Sequence, residues 1–189
     1  TNSQGDARPN SSGKAVPGYD LRIVDEDGAP MAPGELGNLH VAGPTGAVMY
    51  WNQREKSRET FLGTWTVTGD KYSIDGEGYY IYGGRSDDML KVGGIYVSPF
   101  EVEGALIAHE AVLEAAVVGH PDHDNLIKPK AFIVLQDGIN ASDNLAAELQ
   151  NTVKNTLAEY KYPRWIEFTD NLPKTATGKI QRFKLRDAG

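Results

Sequence analysis

Apolar and polar positions alternate with a two-residue period in Tyr19 to Asp25 (YDLRIVD) and Gly37 to Ala42 (GNLHVA), which predicts two strands. The DEDGAPMAPGE between them is turn chemistry. Asn52 to Phe61 is polar, short and helix-compatible. Trp65 to Thr68 and GYYIYG read as further strands, separated by TGD and the acidic, glycine-rich DGEG. The first fourteen residues, TNSQGDARPNSSGK, carry no hydrophobic period and read as a loop, or as the frayed end of something cut from a larger protein. Up to residue 85 the chain therefore predicts short strands and little helix.

The pattern changes after Arg85. Met89 to Val92 and Ile95 to Val97 are short apolar runs separated by Gly93-Gly94, which predicts a tight hairpin. Ser98, Pro99 and Glu101 are an N-cap, an N1 proline and a capping-box acid for a helix over SPFEVEGALIAH. Val112 to Val118, Lys130 to Leu135 and Ile166 to Phe168 read as strands, and Ser142 to Leu157 has the helical period. The fold class is therefore α+β, a β-rich piece over residues 1–86 and a small α+β domain over 87–189. The joint is the dense charged turn GGRSDDMLK, not a Gly/Ser tether.

Charge and composition narrow the function. The net charge of −7 argues against a general nucleic-acid binder. Tyr160 to Gly189 nevertheless holds seven Lys/Arg against three acids, a net +4 that leaves −11 on the rest. A basic end on an acidic body fits a small polyanion. Cysteine is absent, which excludes disulfides and thiolate metal sites and points to a reducing cytoplasm. No apolar run is long enough to span a bilayer. His120 and His123 in GHPDHD read as a surface turn in preference to a metal site, so no metal ligand is assigned.

Three stretches carry candidate chemistry. TGDK places Asp70 after a flexible Thr-Gly, and a carboxylate is the group that accepts two hydrogen bonds from a ribose diol. GGRSDDMLKVGG packs Arg85, two aspartates and Lys91 between glycine pairs, as a solvated turn or as a hinge. Glycines at 93 and 94 would allow a ligand to approach the backbone. LPKTATGKIQR brackets a turn with Lys174 and Lys179 and is followed by a basic tail, RFKLR. Lys179 reads either as a solvated charge on a fraying end or as a charge that a loop swings onto a phosphate. The loop fails as a Walker sequence, because Pro173 stands where the first glycine is needed and Ile180 where Ser/Thr is needed.

Each stretch alone is equally a solvated surface feature. Together, in this order, TGD, GRxDDxxK and PKTxxGK resemble the acyl-adenylate-forming superfamily of acyl-CoA ligases, luciferases and peptide-synthetase adenylation domains. REKSRETFLGTWTVTGDKY, DDMLKVGGIYVSPFEVE and VLEAAVVGHPDHDNLIKPKAF are similar to benzoate or 4-hydroxybenzoate CoA ligases.

The resemblance implies a two-step reaction. Such enzymes use Mg²⁺ and ATP to convert a carboxylate into an acyl-AMP, then pass the acyl group to CoA, a small C-terminal domain rotating between the steps. Asp70 then resembles the carboxylate that holds the ribose hydroxyls, Arg85 the arginine beside it on the nucleotide, and Asp87 the hinge. Lys179 resembles the catalytic lysine of adenylation, while Lys91, Gly93 and Gly94 form the face offered to CoA in the second step. Lys179 also resembles a target of protein lysine acetyltransferases. The superfamily's phosphate loop and acid pocket lie upstream of anything present here, so the chain is expected to be an incomplete large-domain subdomain plus the mobile domain, inactive alone. Alternatives are another acyl-CoA ligase, an adenylation domain, or a stand-alone CoA- or nucleotide-binding or regulatory module.

Overall fold

In the computed structural model, which describes residues 1–2 and 5–186, the alternating segments before residue 85 close into an antiparallel sheet. Strand β1 (Asp20–Val24) pairs with β2 (Gly37–Ala42), β2 with β4 (Trp65–Ile74), and β4 with both β3 (Phe61–Leu62) and β5 (Tyr80–Arg85). Ile23, Val24, Leu39 and Tyr79 are its buried apolar residues. The polar stretch before β3 supplies one short helix, α1 (Arg54–Thr60), which buries no residue.

Two sequence expectations are corrected here. The TGD triplet does not end the strand that begins at Trp65 but lies inside the ten-residue β4. Gly69 takes φ +73° there, the Thr68 hydroxyl donates to the Leu39 carbonyl at 2.9 Å, and register shifts on both flanking ladders absorb the irregularity. The N-terminal loop is tied down instead of frayed. Ser12 N–H donates to Tyr80 O at 2.8 Å, Tyr80 N–H donates to Gly13 O at 2.9 Å, and Arg8 pairs with Asp75 at 2.8 Å. Ser3 and Gln4 of that segment lie outside the described residues.

The chain divides into two compact units, Thr1–Asp87 and Asp88–Gly189. In the second, β6 (Leu90–Val92) and β7 (Ile95–Val97) form a hairpin that leads into α2 (Pro99–Ile107). The Ser98 hydroxyl accepts from Glu101 N–H at 3.2 Å, so the predicted N-cap forms. Strands β8 (Val112–Pro121) and β9 (Ile127–Leu135) are antiparallel, and after α3 (Asp143–Thr156) strand β10 (Trp165–Phe168) joins β9 in parallel, giving the order β10-β9-β8.

The β8 and β9 sequences are apolar at nearly every position, and the sheet is covered on both faces. Val112, Ala115, Val117, Ala131 and Ile133 pack with α2, with Leu149 and Val153 of α3, and with Leu90, Val92 and Val97 of the β6–β7 hairpin. The residues between them, Ala116, Val118, Phe132 and Val134, pack with Leu172, Ile180 and Leu185. Successive strand residues point to opposite faces, so these are two cores on one sheet.

The second core overturns the expectation of a fraying basic tail. Arg182–Arg186 is a short helix, α4, whose Leu185 is buried. One turn is too short to show a helical period, and three basic residues in five hid the single apolar anchor. Asp187, Ala188 and Gly189 lie outside the described residues.

Ile133 is fully buried at the centre of the first core. Ile133→Ala should destabilise the second unit by about 2–5 kcal/mol. Urea unfolding followed by circular dichroism checks it, as a fall in midpoint without a change in slope.

Candidate functional site

The sequence-selected residues fall into three local groups. Asp70 and Arg85 face each other across the β4–β5 ladder. Arg85 Nη1 donates to Asp70 Oδ1 at 3.2 Å and to Thr68 O at 3.3 Å, and its Nε donates to Asp87 Oδ1 at 3.4 Å. Burial alone would lower the guanidinium's pKa, but the Asp70 and Asp87 carboxylates outweigh it and raise it above its ordinary value. The pair is too exposed to add much stability. What it does is fix the carboxylate: Oδ1 is taken, and among the described residues Oδ2 has no hydrogen-bond partner. Gly69 makes room for this, since a Cβ at that position would lie 3.0 Å from Arg85 Nη2.

Lys91, Gly93 and Gly94 form the second group, on the exposed β6–β7 hairpin. Both glycines have positive φ, 57° and 88°, which is the two-residue turn that matches strand twist. A Cβ on either would meet nothing within 4 Å, so the backbone there is open to a ligand. Lys91 is exposed, with its Nζ 5.9 Å from the Tyr96 ring centre.

Lys179 is the third. Its loop is an ordered reversal: Lys174 and Ile180 form an antiparallel bridge, Thr175 N–H donates to Lys179 O at 2.8 Å, and Lys179 N–H donates to Thr175 Oγ1 at 3.1 Å. Gln181 N–H closes the base on Pro173 O at 2.8 Å. The two lysines that bracket the turn differ sharply. Lys174 Nζ is held by Glu114 at 2.5 Å, whereas the Lys179 ammonium, among the described residues, has no hydrogen-bond or ion-pair partner.

A fourth cluster escaped the sequence reading. Glu103 on α2 is buried, and its carboxylate accepts from Val117 N–H at 2.8 Å and from Arg182 at 2.7, 2.8 and 3.2 Å. Arg182 Nη1 also donates to Asp88 at 3.4 Å, and Arg186 pairs with the same aspartate. The available signal was Glu103 beside Val102 on the apolar face of α2, together with an arginine three residues after Lys179.

His120 stacks edge-on against Trp165 at 4.9 Å and does not join His123, which pairs with Asp124 at 3.1 Å. Asp122 Oδ1 accepts from Asp124 and Leu126 N–H, an ordinary aspartate turn.

Residues 101–179 match the AMP-binding enzyme C-terminal domain. The chain therefore carries an AMP-binding enzyme C-terminal domain over that stretch. It is 66% identical over its whole length to a benzoate–CoA ligase of Thauera aromatica, of which it covers 36%. It is also 53% identical over 94% of its length to a 4-hydroxybenzoate–CoA/benzoate–CoA ligase of Rhodopseudomonas palustris, covering 33%. The crystal structure of an anthranilate CoA ligase in complex with anthranoyl-AMP superposes with a TM-score of 0.94 at 57% identity, over 99% of this chain and 36% of that one. The chain thus spans about a third of the length of the relatives it matches.

The glycine turn can be tested for its own stability. Gly94→Ala forces a side chain into a left-handed conformation at a cost of about 1–2 kcal/mol. Gly94→Asn, which tolerates that region, should lose distinctly less. Since no steric clash is present, thermal melts of the two variants should differ by the backbone term alone, and equal losses would contradict the turn geometry.

Proposed function

We propose that the chain works as part of an AMP-forming aryl-CoA ligase, in which it serves both half-reactions with different loops of its second unit. The observation that carries this is the two-faced sheet. The Lys91–Gly94 hairpin is anchored in the core on one face of β8–β9, and the Lys179 loop in the core on the other. One pocket cannot receive both at once, so a body bearing them must turn between steps.

In the first step a carboxylate oxygen of the acid attacks the α-phosphorus of ATP, and the bond to pyrophosphate breaks. Lys179, with its uncommitted ammonium, is the catalytic residue that meets the charge growing on the phosphoryl oxygens. Asp70 holds the ribose hydroxyls through its free oxygen, with Arg85 fixing its orientation and contacting the nucleotide. Mg²⁺ would be carried by the phosphates of ATP, since this ion usually keeps substrate phosphates and waters among its ligands. In the second step the thiol of CoA attacks the acyl carbon, and AMP leaves. The exposed, side-chain-free Gly93–Gly94 turn fits a passage for a long thin thiol, and Lys91 moves with it. Asp87, last residue of the first unit, is the hinge between residues 1–86 and 87–189.

Identities of 66% and 53% to aryl-CoA ligases support an aromatic carboxylate as the acid and a role in aromatic-acid breakdown. Among the described residues no helix is long and apolar enough to cross a membrane, and the cysteine-free composition supports a cytoplasmic setting. Acetylation of Lys179 by a protein lysine acetyltransferase would remove its charge and stop the first step alone.

The test is made in the complete enzyme, by single-turnover assay of each half-reaction. Lys179→Ala should slow acyl-AMP formation by about a hundred- to a thousandfold. Thioester formation from pre-made acyl-AMP should stay within a few-fold. Gly94→Leu should do the reverse, by filling the thiol's path. Lys179→Ala that cripples both steps alike, or neither, would overturn the reading.

A further inference from the structure

The Glu103–Arg182 pair lies at the free edge of β8, the outer strand of the β10-β9-β8 sheet. Glu103 reaches it from α2, which packs on the first core. Arg182 reaches it from α4, whose Leu185 packs on the second core. The carboxylate accepts the edge N–H of Val117 and three contacts from one guanidinium, so it joins the two faces around the strand edge. Arg182 stands three residues after Lys179 and directly follows Gln181, whose N–H closes the base of the lysine loop.

The side chains are well shielded, 6% exposed for Glu103 and 16% for Arg182. Shielded charge pairs are expensive to keep, and apolar residues often fill such places at no loss of stability. A bidentate arginine–carboxylate pair supplies geometric definition that an apolar contact would not. The segment it defines is the one that carries Lys179, whose ammonium has no partner among the described residues. Hydrogen bonds along the loop fix its shape, but its attitude on the sheet depends on what holds its base. Ile180 and Leu185 give adhesion there, and Arg182 gives orientation.

We infer that Glu103 and Arg182 are positioning residues for Lys179, a clamp that aims the lysine loop from the opposite face of the sheet. Asp88, the first residue of the second unit, is its outer arm. The inference rests on the adenylation role proposed for Lys179. It assigns no contact between the clamp and any substrate.

Arg182→Lys keeps the charge and loses the fork. In the complete enzyme it should slow acyl-AMP formation by about a hundredfold, the scale of a misplacement near 1 Å. KM for ATP should move little, and thioester formation from pre-made acyl-AMP should stay within a few-fold. Amide hydrogen exchange over residues 174–181 should accelerate, while exchange in β9 stays at the wild-type rate. Asp88→Asn, which leaves the buried pair intact, should show the same pattern at smaller size and serves if Arg182→Lys does not fold. Loss of both half-reactions together, with faster exchange throughout the second unit, would make the pair merely structural and overturn the inference. So would wild-type adenylation in both variants. Lys179→Ala measured alongside separates the two claims. If it spares adenylation, the role of the lysine falls and the clamp with it; if it abolishes adenylation while Arg182→Lys does not, only the clamp falls.

Discussion

The second unit depends on a single constraint, that the strands β8 and β9 are apolar on both faces. Ala115 and Val117 point one way and Ala116 and Val118 the other, and Ala131 to Val134 alternate in the same manner. Such a sheet must be covered twice. Two helices and the β6–β7 hairpin cover one side, and the other is left to residues 172–185, a stretch with almost no regular structure of its own. That stretch is ordered because Leu172, Ile180 and Leu185 are its share of a core. The loop that carries Lys179 is thus held in place without belonging to a long helix or strand.

The small size of the residues at the centre of the sheet is part of the same solution. Ala115, Ala116 and Ala131 are almost wholly buried, and they let covering segments approach a sheet of only three strands. The edge of β8 is the weak point of this design, because an edge strand exposes unpaired backbone groups. Glu103 meets one of them at Val117. A carboxylate so placed needs a cation, and Arg182 supplies it from the far side. The edge, the helix and the lysine loop are therefore solved by one interaction.

Much of this was legible in the sequence where a local rule applied. The Gly93-Gly94 hairpin, the Ser98 cap and the α3 period depend on neighbours within a few residues, and each formed at the predicted place. Asp70 and Arg85 were set side by side by the resemblance alone, and neither local pattern held the backbone reason, that β4 continues through Gly69 and pairs the two across the β4–β5 ladder. The misses share a physical cause. The Arg182–Arg186 helix and the buried Glu103 are set by partners 79 residues apart, and no periodicity in either segment encodes the other. The tied-down N-terminal loop is similar, since its hydrogen bonds run to Tyr80.

The contrast between Lys174 and Lys179 carries the last step. Both lie on the same short reversal, both are exposed, and composition cannot tell them apart. Glu114 of β8 makes the difference, because it pairs with Lys174. A lysine already paired with a carboxylate has spent its charge in the ground state, and offers a transition state little that it did not offer the substrate. A lysine with an ordered backbone and an unpaired ammonium retains that difference. The loop therefore restrains Lys179 through its main chain, at Thr175 and Pro173, while among the described residues its ammonium has no partner. Holding the backbone while withholding a partner from the charge is what a residue requires if its proper partner arrives with the substrate.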